Sequence, residues 1–170
     1  MKATLDCLEC LVAQALRAAR VATDDPASQR EILNRVAAQV PLCDLDKSPG
    51  ELSLVIYDTV RAVTGIADPY REIKRVQNDA ALALEPELRA LVADAVDPLA
   101  AALYLSAAGN IIDLGVRHTG GIDVRATVEE VMREGFAIDH TPALRESLMR
   151  SRDLVFLLDN AGEIVFDKIL

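Results

Sequence analysis

The stretch of sequence that decides the fold is Asp153-Leu-Val-Phe-Leu-Leu-Asp-Asn-Ala-Gly-Glu-Ile-Val-Phe-Asp167. Leu154–Leu158 is a continuous apolar run, and a run without alternation is typical of a strand covered on both faces, as in a parallel sheet. Ile164, Val165 and Ile169 then follow at a spacing that fits the start of a helix. We therefore predict a buried strand, a turn and a helix, which belong to an α/β domain.

The turn between that strand and that helix carries side chains suited to a metal site. Asp159 and Asn160 stand at the carboxyl end of the strand, where open α/β sheets bind their ligands. Carboxylate and amide oxygens suit a hard divalent cation, and free N–H groups near Gly162 suit a phosphate. An alternative is that Asp159 or Asn160 only caps the helix. Glu163 either favours the positive end of that helix or holds Asn160 or a metal-bound water.

Composition and charge exclude several classes of function. The chain has 170 residues, of which 51% are apolar and 4% aromatic, so its core must consist of aliphatic side chains. The formal net charge of −9 repels nucleic acid and anionic membranes, and no basic stripe reverses it locally. No apolar run approaches the roughly 20 residues of a membrane span. We expect a cytoplasmic protein.

Most of the chain before residue 150 reads as helices with clear start and stop signals. Three Asp-Pro pairs, a Ser48-to-Glu51 capping box and a second one at Thr127 mark helix starts. The predicted helices are Leu5–Ala22, one opened by Asp25-Pro26, one from Ser48 to Gly65, one from Asp68-Pro69 to about Leu84 and interrupted by Pro86, one from Asp97-Pro98 to Gly109, Thr127–Gly135 and Thr141–Arg150. We predict a helical N-terminal region over residues 1–115 and the start of an α/β metal-binding domain over residues 116–170.

The three cysteines are Cys7, Cys10 and Cys43, and an odd number argues against a secreted disulfide framework. Cys7 and Cys10 form a C-x-x-C on the first turn of a predicted helix, and we expect no disulfide between them. They are either small half-buried helix residues or part of a metal or redox site with Cys43.

Four segments, in this order, resemble the damage-control phosphatase family, which shares the acidic-residue-methyltransferase-like metal-binding domain. They are Cys7-x-x-Cys10, Asp68-Pro-Tyr70-x-x-x-Lys74-x-x-x-Asn78-x-x-Ala81-Leu82, Gly109-Asn110-x-x-Asp113-x-Gly115 and Asp159-Asn160-Ala-Gly162-Glu163. The resemblance spans nearly the whole chain, and the ordered set is more specific than any one segment. It implies a helical N-terminal bundle packed on a Rossmann-like α/β/α core, of which the first part is present.

The resemblance implies a metal-dependent phosphatase acting on small phosphorylated metabolites. The metal, which is Mn²⁺, Ni²⁺, Co²⁺ or Mg²⁺, would lie on Asp159 and Asn160, with Glu163 completing the catalytic set. Substrate would contact Asn110, Asp113 and Gly162. From the residues alone, Asn110 and Asp113 also fit a helix end and the turn after it.

A further metal ligand and a substrate loop of that family are expected beyond Leu170. We therefore expect the 170-residue chain to be inactive and the longer protein to be the enzyme. The alternative is a non-catalytic fragment or an assembly domain, because an incomplete sheet leaves strand edges that can pair with another copy in a homo-oligomer.

Overall fold

The computed structural model describes residues 1–111 and 124–170, and these residues are helical with irregular connections. No residue in these two ranges lies in a β-strand. The predicted α/β architecture with a Rossmann-like α/β/α core is therefore wrong for the described chain. The predicted boundary between residues 115 and 116 falls outside the described residues and stays a prediction.

Eight α-helices are present in the described ranges. They are α1 (Leu5–Ala22), α2 (Pro26–Gln39), α3 (Pro49–Thr64), α4 (Arg71–Ala93), α5 (Pro98–Ile111), α6 (Val124–Glu134), α7 (Thr141–Arg150) and α8 (Glu163–Asp167), with a 3₁₀ turn at Val40–Leu42. The chain divides into two compact units, Met1–Glu72 and Ile73–Leu170. No helix in the described ranges has the length and apolar character needed to cross a bilayer.

In the N-terminal unit, local signals produce α1, α2 and α3 as predicted. Asp25 accepts hydrogen bonds from the N–H groups of Ala27 and Ser28 and so caps α2. Ser48 and Glu51 form the predicted capping box of α3, and Gly65 ends that helix with φ +75°. The apolar faces of the three helices meet in one core, whose fully buried members include Ala15, Ala19, Ile32, Val36, Ile56 and Val60.

The C-terminal unit buries a second core between α4, α5, α6 and α8. Its buried members are Ala81, Leu88, Leu105, Ala108, Val128, Val165 and Phe166. The short helix α8 contributes two of these, and Phe166 is fully buried. Five residues cannot form a stable helix alone, so packing and side-chain hydrogen bonds must hold α8 in place.

Helix α4 continues through Pro86, where the sequence predicted an interruption. Proline removes one backbone hydrogen bond and crowds the preceding turn. Leu88, which is 1% exposed, and the partly buried Leu91 and Val92 lie beyond the proline and pack into the core of the C-terminal unit. Burial of this second half offsets the local cost, so tertiary packing overrides the helix-breaking signal.

Leu154–Leu158 is not a buried strand. The segment has no regular secondary structure, and its side chains are 42% to 88% exposed. A strand can be buried on both faces only when neighbouring strands satisfy its backbone N–H and C=O groups. The described residues offer no such neighbour, so the apolar run stays largely exposed. Residues 136–138 are irregular as well, and Phe136 stacks on Tyr104 with ring centroids 4.5 Å apart.

Candidate functional site

The turn between the exposed segment and α8 contains the predicted metal and catalytic residues. Asp159 and Asn160 are exposed, whereas Gly162 and Glu163 are buried. Gly162 has φ +82° and ψ −53°, a conformation with positive φ that residues with a Cβ atom rarely adopt. The buried carboxylate of Glu163 therefore follows the exposed side chains of Asp159 and Asn160 by four and three residues.

The side chain of Asn160 has a fixed orientation. Its Nδ2 group donates a hydrogen bond of 3.1 Å to Oε2 of Glu163, which is 9% exposed. Because the amide nitrogen is engaged by this carboxylate, the amide oxygen Oδ1 is the atom left to accept or to coordinate. Glu163 thus holds Asn160, which is one of the two roles that the sequence left open.

Asn78 of α4 reaches the same turn and was not predicted as a site residue. Its Oδ1 accepts a hydrogen bond of 2.7 Å from the N–H of Gly162. This N–H was expected to bind phosphate, and in the structure it is bonded to Asn78 instead. The sequence places Asn78 one turn after Lys74 in a motif, but no local pattern connects it with a glycine 84 positions later.

Two further interactions anchor the far end of α8. Ser106 of α5 donates a hydrogen bond of 2.5 Å to Oδ1 of Asp167, which is 7% exposed. The Nζ atom of Lys168 lies 2.9 Å from Oε1 of Glu85 on α4. A side-chain hydrogen bond from Lys168, with a second from Arg89, lowers the pKa of the Glu85 carboxyl below its usual value. Helix α8 is therefore tied to both α4 and α5.

A glycine contact sets the distance between α5 and α8. Gly109 lies inside α5, and a Cβ atom built on it would be 2.9 Å from both Cβ and Cγ of Phe166. The helix continues to Ile111, so Gly109 is not the helix end that the sequence predicted. Asn110, the next residue, is exposed in the last turn of α5. Asp113, the other predicted residue of this segment, lies outside the described residues.

The donor set of the turn fits a hard divalent cation in kind. Asp159 offers carboxylate oxygens and Asn160 offers Oδ1, which are ligand types that Mg²⁺ and Mn²⁺ prefer. These are two ligands from adjacent residues, and in residues 1–111 and 124–170 no group of three His, Cys, Asp or Glu side chains is arranged to hold an ion. Completing the coordination therefore requires water, substrate or further protein oxygens.

The three cysteines are distant in sequence from the turn at residues 159–163, and their contacts are with the N-terminal unit. Cys7 and Cys10 are in α1 as predicted, and all three cysteines are free thiols. The Sγ atom of Cys7 accepts a hydrogen bond of 3.4 Å from the N–H of Thr4, which supports the first turn of α1. Cys10 is exposed, and Cys43 packs against the core of the N-terminal unit.

Comparison with known proteins finds relatives that align with the whole of this chain. A Damage-control phosphatase of Archaeoglobus fulgidus is 29% identical over 174 residues, and Damage-control phosphatase PH1575 of Pyrococcus horikoshii is 27% identical over 173 residues. The alignments cover all of this chain and 59% and 58% of those proteins. The chain therefore spans less than two thirds of the length of these relatives.

A solved structure shares the fold. The crystal structure of the Pyrococcus horikoshii protein, described as a DUF89 family protein, matches with a TM-score of 0.83 at 25% sequence identity. The match covers 99% of this chain and 58% of that one. The model of the Damage-control phosphatase ARMT1-like domain matches residues 3–170. The chain therefore belongs to the family of damage-control phosphatase ARMT1-like domains.

Proposed function

We propose that this protein is a metal-dependent phosphatase that hydrolyses small phosphorylated metabolites, such as sugar phosphates or damaged phosphometabolites. The observation that carries the proposal is the Asp159–Glu163 turn, in which a buried carboxylate orients an amide oxygen beside an exposed carboxylate. Membership in a family whose relatives are named damage-control phosphatases supports the reaction class.

Asp159 and Asn160 would hold the cation, which we propose to be Mn²⁺, Ni²⁺, Co²⁺ or Mg²⁺. A bound divalent cation supplies charge neutralisation and polarisation of a phosphoryl oxygen. Asp159 supplies a full negative charge at an exposed position, and Asn160 supplies a neutral oxygen. The hydrogen bond from Nδ2 of Asn160 to Glu163 fixes the rotation of the amide group, so Oδ1 of Asn160 would be oriented before a ligand arrives.

Substrate would lie against the exposed side of the same turn. We propose that Asn110, exposed at the end of α5, contributes a polar contact, together with Asp113. The N–H of Gly162 already donates to Asn78, so we do not assign it a phosphate contact. The role that we propose for Gly162 is to leave the turn without a side chain. In an acidic chain, a bound cation provides the local positive charge that an anionic substrate needs.

A second candidate function is that of a non-catalytic assembly domain. The observation that favours it is the exposed apolar segment Leu154–Leu158, since contiguous exposed apolar surface marks interaction sites. The two-ligand set of the described chain is consistent with it as well. The two candidates differ in whether phosphate-ester turnover depends on Asp159.

The test compares Asp159→Asn with Asp153→Asn at the natural length of the protein. Both substitutions remove one exposed carboxylate, one at each end of the same segment. With Mn²⁺, the wild type and Asp153→Asn should hydrolyse p-nitrophenyl phosphate and hexose phosphates, and EDTA should stop them. Asp159→Asn should lose about 10²-fold or more in kcat, which is the loss typical when one electrostatic partner of a transition state is removed.

The 170-residue chain should be assayed in parallel, because it spans 56% to 59% of the curated relatives. Equal turnover by Asp159→Asn and the wild type would show that this carboxylate plays no part in metal binding. Absence of turnover with all four cations at natural length would favour the assembly domain.

A further inference from the structure

The hydrogen bond between Gly162 and Asn78 joins the turn to a helix that is distant in sequence. Gly162 is buried, Asn78 is half-buried on α4, and the N–H to Oδ1 distance is 2.7 Å. A buried N–H left without a hydrogen-bond partner destabilises the folded state, so the turn requires an acceptor at this position.

The conformation of Gly162 explains why glycine occupies this position. Its φ of +82° and ψ of −53° lie in a region that glycine enters without steric cost and that other residues avoid. The local bonds of the turn are modest: Ile164 N–H donates to the Asn160 carbonyl at 3.3 Å, and Val165 N–H donates to the Gly162 carbonyl at 3.1 Å. Asn78 supplies the contact from outside the turn.

We propose that Asn78 is the positioning residue of this site. By holding the Gly162 N–H, it fixes the turn in which Asn160 meets Glu163, and so it directs Oδ1 of Asn160 toward the ligand side. This inference rests on the proposed function, because the direction matters only if Asp159 and Asn160 hold a cation. Asn78 itself touches neither the cation nor the substrate in this assignment.

The chemistry of the side chain specifies the variants. Asn78→Leu has a similar size and no acceptor, so it leaves the Gly162 N–H buried without a partner. Asn78→Asp keeps an oxygen acceptor at the same reach. Ser106→Ala is the matched structural control, because it removes a different side-chain anchor of α8, the hydrogen bond to Asp167, and leaves the bonds of the turn in place.

The first readout is amide hydrogen exchange, measured by ¹⁵N NMR without metal. In Asn78→Leu, exchange at Gly162 should accelerate about 10-fold or more relative to Lys168, whose N–H bonds within α8 to the Ile164 carbonyl at 3.0 Å. Asn78→Asp should stay within about 3-fold of the wild type. Wild-type exchange at Gly162 in Asn78→Leu would overturn the inference.

The second readout is Mn²⁺ affinity, measured by calorimetry or by electron paramagnetic resonance. Asn78→Leu should weaken binding about 10-fold or more, as loss of partners that orient metal ligands typically does, whereas Ser106→Ala and Asn78→Asp should not. Equal weakening in Ser106→Ala would show a merely structural role and overturn the inference. Asp159→Asn separates the two proposals: if it binds Mn²⁺ as tightly as the wild type, the proposed metal site fails, while the exchange data still decide whether Asn78 holds the turn.

Discussion

Gly109→Ala is the substitution that most directly tests the packing behind the site. In an ordinary helix interior this change stabilises by about 1 kcal/mol, because alanine has the higher helix propensity. Here the new Cβ atom would lie 2.9 Å from Cβ and Cγ of Phe166 and 3.2 Å from Cδ2. Carbon atoms rest about 3.5–4.0 Å apart, so α5 and α8 would have to separate by roughly 0.8 Å.

The clash has no cheap relief. Phe166 is fully buried, and its Cβ atom cannot rotate away from the α8 backbone. Overpacking of a tight core costs about 1–3 kcal/mol, and we take the upper half of that range because two contacts fall below 3.0 Å. After subtracting the propensity gain, the free energy of unfolding should fall by about 1–2 kcal/mol.

Urea denaturation followed by circular dichroism at 222 nm measures this change, with Gly50→Ala as the matched control. A Cβ atom on Gly50 would meet only Ser48 Oγ, at 4.0 Å, so the same substitution in the first turn of α3 should stabilise by up to about 1 kcal/mol. The two variants are thus expected to differ in sign. A Gly109→Ala protein as stable as the wild type, or more stable, would refute the close approach of α5 and α8.

Three further predictions concern stability and solubility. The hydrogen bond from Lys168 is the main reason why the pKa of Glu85 is lower in the folded protein than its unfolded value of about 4.5. The ionised Glu85 carboxylate therefore stabilises the folded state fully above that unfolded value, and this stabilisation is lost as the pH falls through the lower folded value. Between pH 6 and about pH 3, urea titrations should therefore show a larger loss of unfolding free energy in the wild type than in Glu85→Gln, and parallel curves would contradict this. Leu157 is 88% exposed, so Leu157→Lys should change the free energy of unfolding by less than about 0.5 kcal/mol. The same substitution should reduce binding of an apolar dye, because it removes exposed apolar surface. A loss of stability above about 2 kcal/mol would show that the side chain is packed. Ser48→Ala removes the N-cap of α3 and should lower the free energy of unfolding, measured by thermal denaturation, by about 1 kcal/mol, and an unchanged stability would contradict a stabilising role of this cap.

The candidate site could be predicted in part. Asp159, Asn160 and Glu163 lie within five consecutive residues, and the three-residue spacing from Asn160 to Glu163 allows the side-chain bond that the structure shows. Asn78 and Gly162 are 84 positions apart, and neither residue carries a local signal of the other. The burial of Asp167 against Ser106 follows only from how α8 packs on α5.

The sequence by itself determined the starts and ends of several helices. Leu5–Ala22 and Thr141–Arg150 are observed with the predicted bounds, and the Ser48 capping box and the Gly65 stop delimit α3. These boundaries follow from bonds between residues a few positions apart, so the local sequence contains all the groups involved.

Only the tertiary structure decided which surfaces are covered. The apolar run Leu154–Leu158 predicts burial, but burial needs neighbours that satisfy its backbone, and the described residues provide none. Pro86 predicts a break, yet packing of Leu88 carries α4 onward. Gly109 reads as a helix end, but its lack of a side chain lets Phe166 approach. In each case the deciding free energy comes from residues far away in the chain, which no local pattern specifies.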